Sequence, residues 1–165
     1  MPRHLILMRH AKSSWDAPAL DDHDRPLNRR GRRAAKALGG WMRERGWMPD
    51  EVLCSTAART RETLARLALP GDIGVQYRSA LYLANPEAML ETLRSATGAC
   101  VLVLGHNPGI AEFAGRLLAA PPPHGRFDDY PTGATLVAEF LLTRWEQAGW
   151  GQARAADFVV PRELG

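Results

Sequence analysis

Two short runs in this chain carry no polar interruption: Leu5-Ile6-Leu7-Met8 and Val101-Leu102-Val103-Leu104. A strand with one wet face alternates apolar and polar residues. An uninterrupted run needs cover on both faces, as in a parallel sheet flanked by helices. Each run also ends abruptly on polar groups. The first stops at Arg9-His10 before the small turn Ala11-Lys12-Ser13-Ser14, and the second runs into Gly105-His106-Asn107-Pro108-Gly109. Such ends fall on the C-terminal edge of a parallel sheet, where open α/β sheets bind their ligands.

The remaining segments alternate in the same way. Residues 4–8 read as the first strand. Asn28 can cap a helix running to about Arg45, with Ala34, Ala35, Leu38, Trp41 and Met42 on its apolar face and Gly46 as its stop. Val52-Leu53-Cys54 reads as a short buried strand, after which Ser55 caps a helix from about Ala57 to Leu69. Residues 73–77 suggest another short strand. Asn85-Pro86 places a cap before proline at the first helical position, opening a helix to about Ala96. Residues 100–104 form a central strand, followed by a helix from about Ile110 to Leu118. Ala120 to Tyr130, with Pro121-Pro122-Pro123, reads as a surface loop. Ala134 to Leu141 and Ala155 to Val160 complete the strands. The alternation predicts an α/β fold, a three-layer α/β/α sandwich with a mostly parallel central sheet, as a single domain over residues 1–165.

Composition excludes several classes. Hydrophobic residues make up 45% and charged residues 24% of 165, an ordinary globular balance, so neither disorder nor a fibrous chain is expected. No apolar run approaches the roughly 20 residues that span a bilayer. The run Leu5 to Met8 is too short for a secretory core, so a cytoplasmic setting is expected. Cys54 and Cys100 lie in apolar runs without metal-ligand spacing and read as reduced, buried residues. Much of the net charge of +3 comes from Arg25, Arg29, Arg30, Arg32, Arg33 and Lys36. That cluster is either a solvated helix face or, in part, a surface for an anionic ligand. It has no interleaved aromatics, so nucleic acid is not an expected partner.

Chemistry concentrates at four positions. Arg9 and His10 end one strand, His106 ends the central strand, and Arg59 lies in the first turn of the helix after Val52–Cys54. All four predict to one sheet edge. Arginine offers a planar fork that fits phosphate oxygens. Histidine can be a nucleophile as well as an acid or base. Together they can surround a phosphoryl group, one imidazole attacking in line while the others bear charge on its equatorial oxygens.

These motifs resemble a known family. Arg9-His10-Ala11-Lys12-Ser13-Ser14-Trp15, Pro26-Leu27-Asn28-x-x-Gly31, Ser55-x-x-x-Arg59-x-x-Glu62-Thr63 and Gly105-His106-Asn107-Pro108 are similar to the histidine phosphatase, or phosphoglycerate mutase-like, superfamily. The short length and Pro131-Thr132-Gly133-Ala134 resemble its SixA-like branch of phosphohistidine phosphatases. The resemblance implies that His10 is the transiently phosphorylated nucleophile, that Arg9 and Arg59 hold phosphate, and that His106 contacts the same phosphoryl group. It also implies no metal or organic cofactor. Ser13 and Asn107 are further candidate phosphate contacts, though Ser13 can equally brace its turn.

To attack, His10 must present a neutral nitrogen, its other nitrogen bonded to a main-chain carbonyl. Nearby arginines disfavour imidazolium. The general acid is less evident. An alkoxide leaving group needs a proton, yet Asn107 cannot supply one and the segment Arg78–Asn85 has no Asp or Glu. Glu87 is the nearest carboxyl and reads better as support for its helix N-terminus. Asp16, Asp21 and Asp22 remain as acids or as a solvated loop. Trp15 reads as a packing residue; His4, His23 and His124 have no motif context. A labile P–N bond asks less of the enzyme, so the expected substrate is a phosphohistidine-bearing protein, a phosphotransfer domain or carrier, met at an open, shallow site. The alternatives are a broad-specificity phosphatase of small phosphorylated molecules and a non-catalytic phosphate-binding module.

Overall fold

The structure is a computed structural model that describes all 165 residues. Ten principal elements follow in chain order: β1 (Arg3–Arg9), α1 (Arg29–Arg45), β2 (Glu51–Ser55), α2 (Ala58–Leu67), β3 (Gly74–Arg78), α3 (Pro86–Arg94), β4 (Cys100–Gly105), α4 (Gly109–Leu117), β5 (Thr135–Phe140) and β6 (Arg154–Val159). All six strands join one sheet in the order β3-β2-β4-β1-β5-β6. Strands β3, β2, β4 and β1 are mutually parallel, whereas β5 runs antiparallel to both β1 and β6. The architecture is therefore the expected α/β sandwich with a mostly parallel sheet. No helix is long and apolar enough to cross a membrane.

Alternation within the apolar runs explains the two covering layers. Leu5, Leu7, Val101 and Val103 point to the face covered by α3 and α4, where they meet Met89, Leu93, Phe113 and Leu117. Ile6, Met8, Leu102 and Leu104 point to the opposite face, against Leu38, Trp41 and Met42 of α1 and Leu64 and Leu67 of α2. Each such side chain contributes about 1.5–3 kcal/mol by leaving water, which is why Leu5–Met8 and Val101–Leu104, the stretches covered on both faces, hold no polar residue.

Local signals set the helix ends. Asn28 accepts a hydrogen bond from the Gly31 amide at 2.8 Å, and Gly46 closes α1 in the left-handed region at φ +75. Asn85 accepts from the Ala88 amide at 2.8 Å, with Pro86 at the start of α3. Ser55 departs from expectation. It does not cap α2, whose N-cap is Ala57 without a side-chain bond; Ser55 ends β2, three residues before the helix, and its hydroxyl meets the Ala57 amide and His106. The strand expected at 73–77 is an exposed edge strand one residue later. Residues 120–130 lack regular structure yet are anchored. Tyr130 is fully buried, its hydroxyl donating to the Leu7 carbonyl and accepting from the Leu136 amide. Cys54 is buried and Cys100 partly so, and both are free thiols.

Candidate active site

The strand ends meet as the topology requires. His10 follows β1, its amide bonded to the Gly105 carbonyl of β4 at 3.2 Å, while its own carbonyl accepts from Gly133 at 2.9 Å. The turn is held from α2 as well: the Ala11 amide donates to the Thr63 hydroxyl at 3.0 Å, which in turn donates to the Arg59 carbonyl at 2.7 Å. Close approach by α1 completes the clamp. A side chain at Gly31 would meet the Lys12 carbonyl oxygen at 2.0 Å, so only glycine lets the helix pack there.

The imidazoles of His10 and His106 lie 5.3 Å apart between ring centroids, with 6% and 2% of their surface exposed. His10 Nδ1 lies 2.7 Å from the Ala11 carbonyl oxygen. A carbonyl only accepts, so Nδ1 carries the proton and Nε2 presents a lone pair. Burial, followed by the charges of Arg9, Arg59 and Arg25, lowers the His10 pKa to about 3, against the opposing pull of the Ala11 carbonyl. Burial, then His10 and Arg59, likewise lowers His106 to about 3. Both rings are neutral at physiological pH.

Ser55 holds the His106 ring. Its hydroxyl oxygen lies 2.7 Å from His106 Nε2 and accepts the Ala57 amide at 3.3 Å. The hydroxyl can donate its proton to Nε2, and in that tautomer the ring proton lies on Nδ1. That Nδ1 is buried without a protein partner, as are Nε of Arg9 and Nε of Arg59. Arg9 and Arg59 thus each keep an unengaged donor, and His106 an unengaged ring nitrogen, on the side chains that surround His10.

The arginines are held from behind. Arg9 donates through Nη1 to the Tyr130 carbonyl at 3.1 Å. Arg59, 3% exposed, donates to the Asp22 carbonyl at 2.7 Å and to its carboxylate at 3.0 Å. Arg25 joins them, donating to the Ser13 hydroxyl at 2.8 Å and to the Asp22 carboxylate at 3.2 Å. A hydrogen bond from Tyr82, then Arg59 and Arg25, lowers Asp22 to about 2 despite partial burial. Asp22 is therefore ionised at neutral pH and holds no proton to give. The Tyr82 ring stands edge-on to His106 at 5.4 Å and walls that side.

The sheet edge thus brings Arg9, His10, Arg59 and His106 together. Two other candidates have structural partners instead. Ser13 accepts from Arg25. Asn107 donates to the Asp129 and Tyr130 carbonyls at 3.0 and 3.1 Å and accepts from the Ala111 amide at 3.2 Å, so both ends of its amide brace the chain around α4. Trp15 does not pack inside; it is 74% exposed, with the Arg25 guanidinium 3.6 Å above its ring. His23 lies 2.9 Å from the Thr56 hydroxyl and 4.8 Å from the Tyr82 ring. Asp16 and Asp21 are exposed, and Glu87 pairs with Arg116 at 2.8 Å. Sequence reasoning missed Ser55, Tyr82 and the joining of Arg25 to the site, all defined by contacts distant in the chain. No cluster of three or more His, Cys, Asp or Glu residues is placed to hold a metal ion.

A sequence profile of the histidine phosphatase superfamily (branch 1) matches residues 5–82. An uncharacterised protein of Mycobacterium tuberculosis is 35% identical over 162 residues, spanning 94% of this chain and 100% of its own length. Among solved structures, the proposed phosphohistidine phosphatase SixA of Nakamurella multipartita superposes with a TM-score of 0.85 at 34% identity, covering 98% of this chain and 97% of that one. Its proposed counterpart from Agrobacterium tumefaciens gives 0.78 at 27% identity, covering 98% and 99%. This chain belongs to the histidine phosphatase superfamily and is a phosphatase of its SixA-like group.

Proposed function

We propose that the chain is one catalytic domain that dephosphorylates phosphohistidine on a protein through a phosphohistidine of its own, formed on His10. In the first step His10 Nε2 attacks phosphorus. The substrate ring, protonated from solvent on its other nitrogen, takes the electron pair of the breaking P–N bond and departs as neutral imidazole. Arg9, Arg59 and the Nδ1–H of His106 carry the charge on the equatorial oxygens. Water then attacks phosphorus, releases phosphate and returns His10 to its neutral form.

The observation that carries the substrate class is the ionised state of Asp22. It is the carboxylate in direct contact with Arg59, and its hydrogen bonds from Arg59, Arg25 and Tyr82 favour the charged form over the acid that an alkoxide would need. A phosphohistidine ring takes a proton from water on its other nitrogen, since imidazole titrates at about 6.5, and then departs as neutral imidazole. SixA-like relatives proposed to be phosphohistidine phosphatases support the same reading. Two free thiols fit a reducing cytoplasm.

Phosphate release from a phosphohistidine protein and from a panel of small phosphate esters tests the proposal, with wild type beside His10→Ala. Release from the phosphohistidine protein, lost in His10→Ala, is expected. Preference for the esters would overturn the substrate class.

A further inference from the structure

A second concave surface adjoins the turn that carries His10. It is a groove of about 1130 Å³ between α1 and the C-terminal segment Pro161–Gly165. Lys12, Arg30, Arg33, Lys36, Arg43 and Arg162 line it, together with Arg126. No Asp or Glu side chain does, and no aromatic ring. Arg43 is bonded to the Leu67 carbonyl and Arg126 is paired with Asp129. The other five cations make no ion pair and no side-chain hydrogen bond, and all five are exposed.

Elsewhere on the surface many arginines are paired, although Arg29, Arg61 and Arg144 are exposed without an ion pair. Arg32 and Arg66 share Glu62, Arg45 meets Asp157, Arg116 meets Glu87 and Arg154 meets Glu139. Five cations without an ion pair thus share this one groove. Arg30, Arg33, Lys36 and Arg43 recur at helical spacing and form a stripe of about 20 Å along α1 at 1.5 Å per residue. Its upper end touches the site through two residues. Lys12 lies two positions after His10, and Thr132 precedes Gly133, whose amide bonds the His10 carbonyl at 2.9 Å.

We propose that this groove docks an acidic surface of the protein substrate, next to the phosphohistidine that enters the site. The inference rests on the function proposed above and adds where the partner binds and what charge it carries. Five unpaired cations attract carboxylates over a Debye length and set the orientation of approach. The groove offers no ring on which bases could stack, which favours a protein over single-stranded nucleic acid. A substrate consisting of phosphoramidate alone reaches His10 without touching it.

The test compares wild type with the exposed double variant Arg33→Glu/Lys36→Glu and its milder counterpart Arg33→Gln/Lys36→Gln. The substrates are an acidic histidine phosphotransfer domain phosphorylated with phosphoramidate, and phosphoramidate itself. For the phosphorylated domain, kcat/KM is expected to fall about tenfold or more in the Glu variant at low salt and less in the Gln variant. Its salt dependence should flatten, while turnover of phosphoramidate stays at the wild-type level. Unchanged kcat/KM on the domain, or equal loss on both substrates in both variants, would overturn the docking role alone. Wild type that turns over phosphoramidate or small esters but not the phosphorylated domain would remove the function reading and this proposal with it. A single-stranded oligonucleotide that binds the groove more tightly than the domain, and releases in the Glu variant, would reassign the groove and overturn the proposal.

Discussion

Acid should unfold this protein through the two histidines that face each other at the sheet edge. In the folded chain His10 and His106 remain neutral down to about pH 3. In the unfolded chain an imidazole titrates at about 6.5. The folded values are depressed, so the unfolded state binds more protons in the interval between them. Stability is therefore fully present above about pH 6.5 and is lost as the pH falls toward 3. Between about pH 7.5 and pH 5 each ring contributes a loss of about 2 kcal/mol, and the pair about 4 kcal/mol. At pH 5 both folded-state values lie well below the solution pH, so the unfolded histidine alone sets the size of the loss. Against a typical stability of about 5–15 kcal/mol, that is a large share. Urea unfolding, extrapolated to water at each pH, measures it. His10→Gln should lose only about half as much over the same range, about 2 kcal/mol. Stability that stays level from neutrality to pH 5, or a variant with the full wild-type dependence, would refute the reasoning.

Ser55→Ala removes the hydroxyl that is hydrogen-bonded to His106 Nε2. Its kcat should fall about tenfold, the equivalent of one buried hydrogen bond, with KM little changed. Ser55→Thr should restore most of the rate, and nitrogen NMR shifts of His106 should report a mixed tautomer only in the alanine variant. Gly31→Ala would place a methyl carbon 2.0 Å from the Lys12 carbonyl oxygen. Thermal unfolding should register a loss of about 1–3 kcal/mol, and phosphatase activity should drop because the turn after His10 must shift.

Features written in short stretches of chain were legible. Uninterrupted apolar runs announced two-sided burial, and Leu5–Met8 and Val101–Leu104 are indeed buried on both faces of the sheet. Asn28 and Asn85 announced their helices because a cap is a bond across three residues. Arg9, His10, Arg59 and His106 were legible because strand ends and a following helix start share one edge by topology. What escaped depends on distant partners. Ser55 reads as a cap from its neighbours, yet its hydroxyl meets a ring 51 residues away. Asn107 looks free beside His106, but two carbonyls from the 120–130 segment occupy its amide. That segment reads as surface from its prolines, while Tyr130 finds two main-chain partners inside. Asp22, Arg25 and Tyr82 form one cluster around Arg59, and no local pattern ties a 3-10 turn to residues up to 60 positions further on.

The central claim is that His10 Nε2 becomes phosphorylated. Rapid-quench trapping during turnover, followed by phosphorus NMR and peptide mapping under alkaline conditions, tests it directly. The account predicts an acid-labile phosphate on Nε2 of His10 that forms and decays at rates able to support turnover and is absent from His10→Ala. Phosphate trapped on His106 or on a carboxylate, or a His10→Ala enzyme that still turns over, would contradict it.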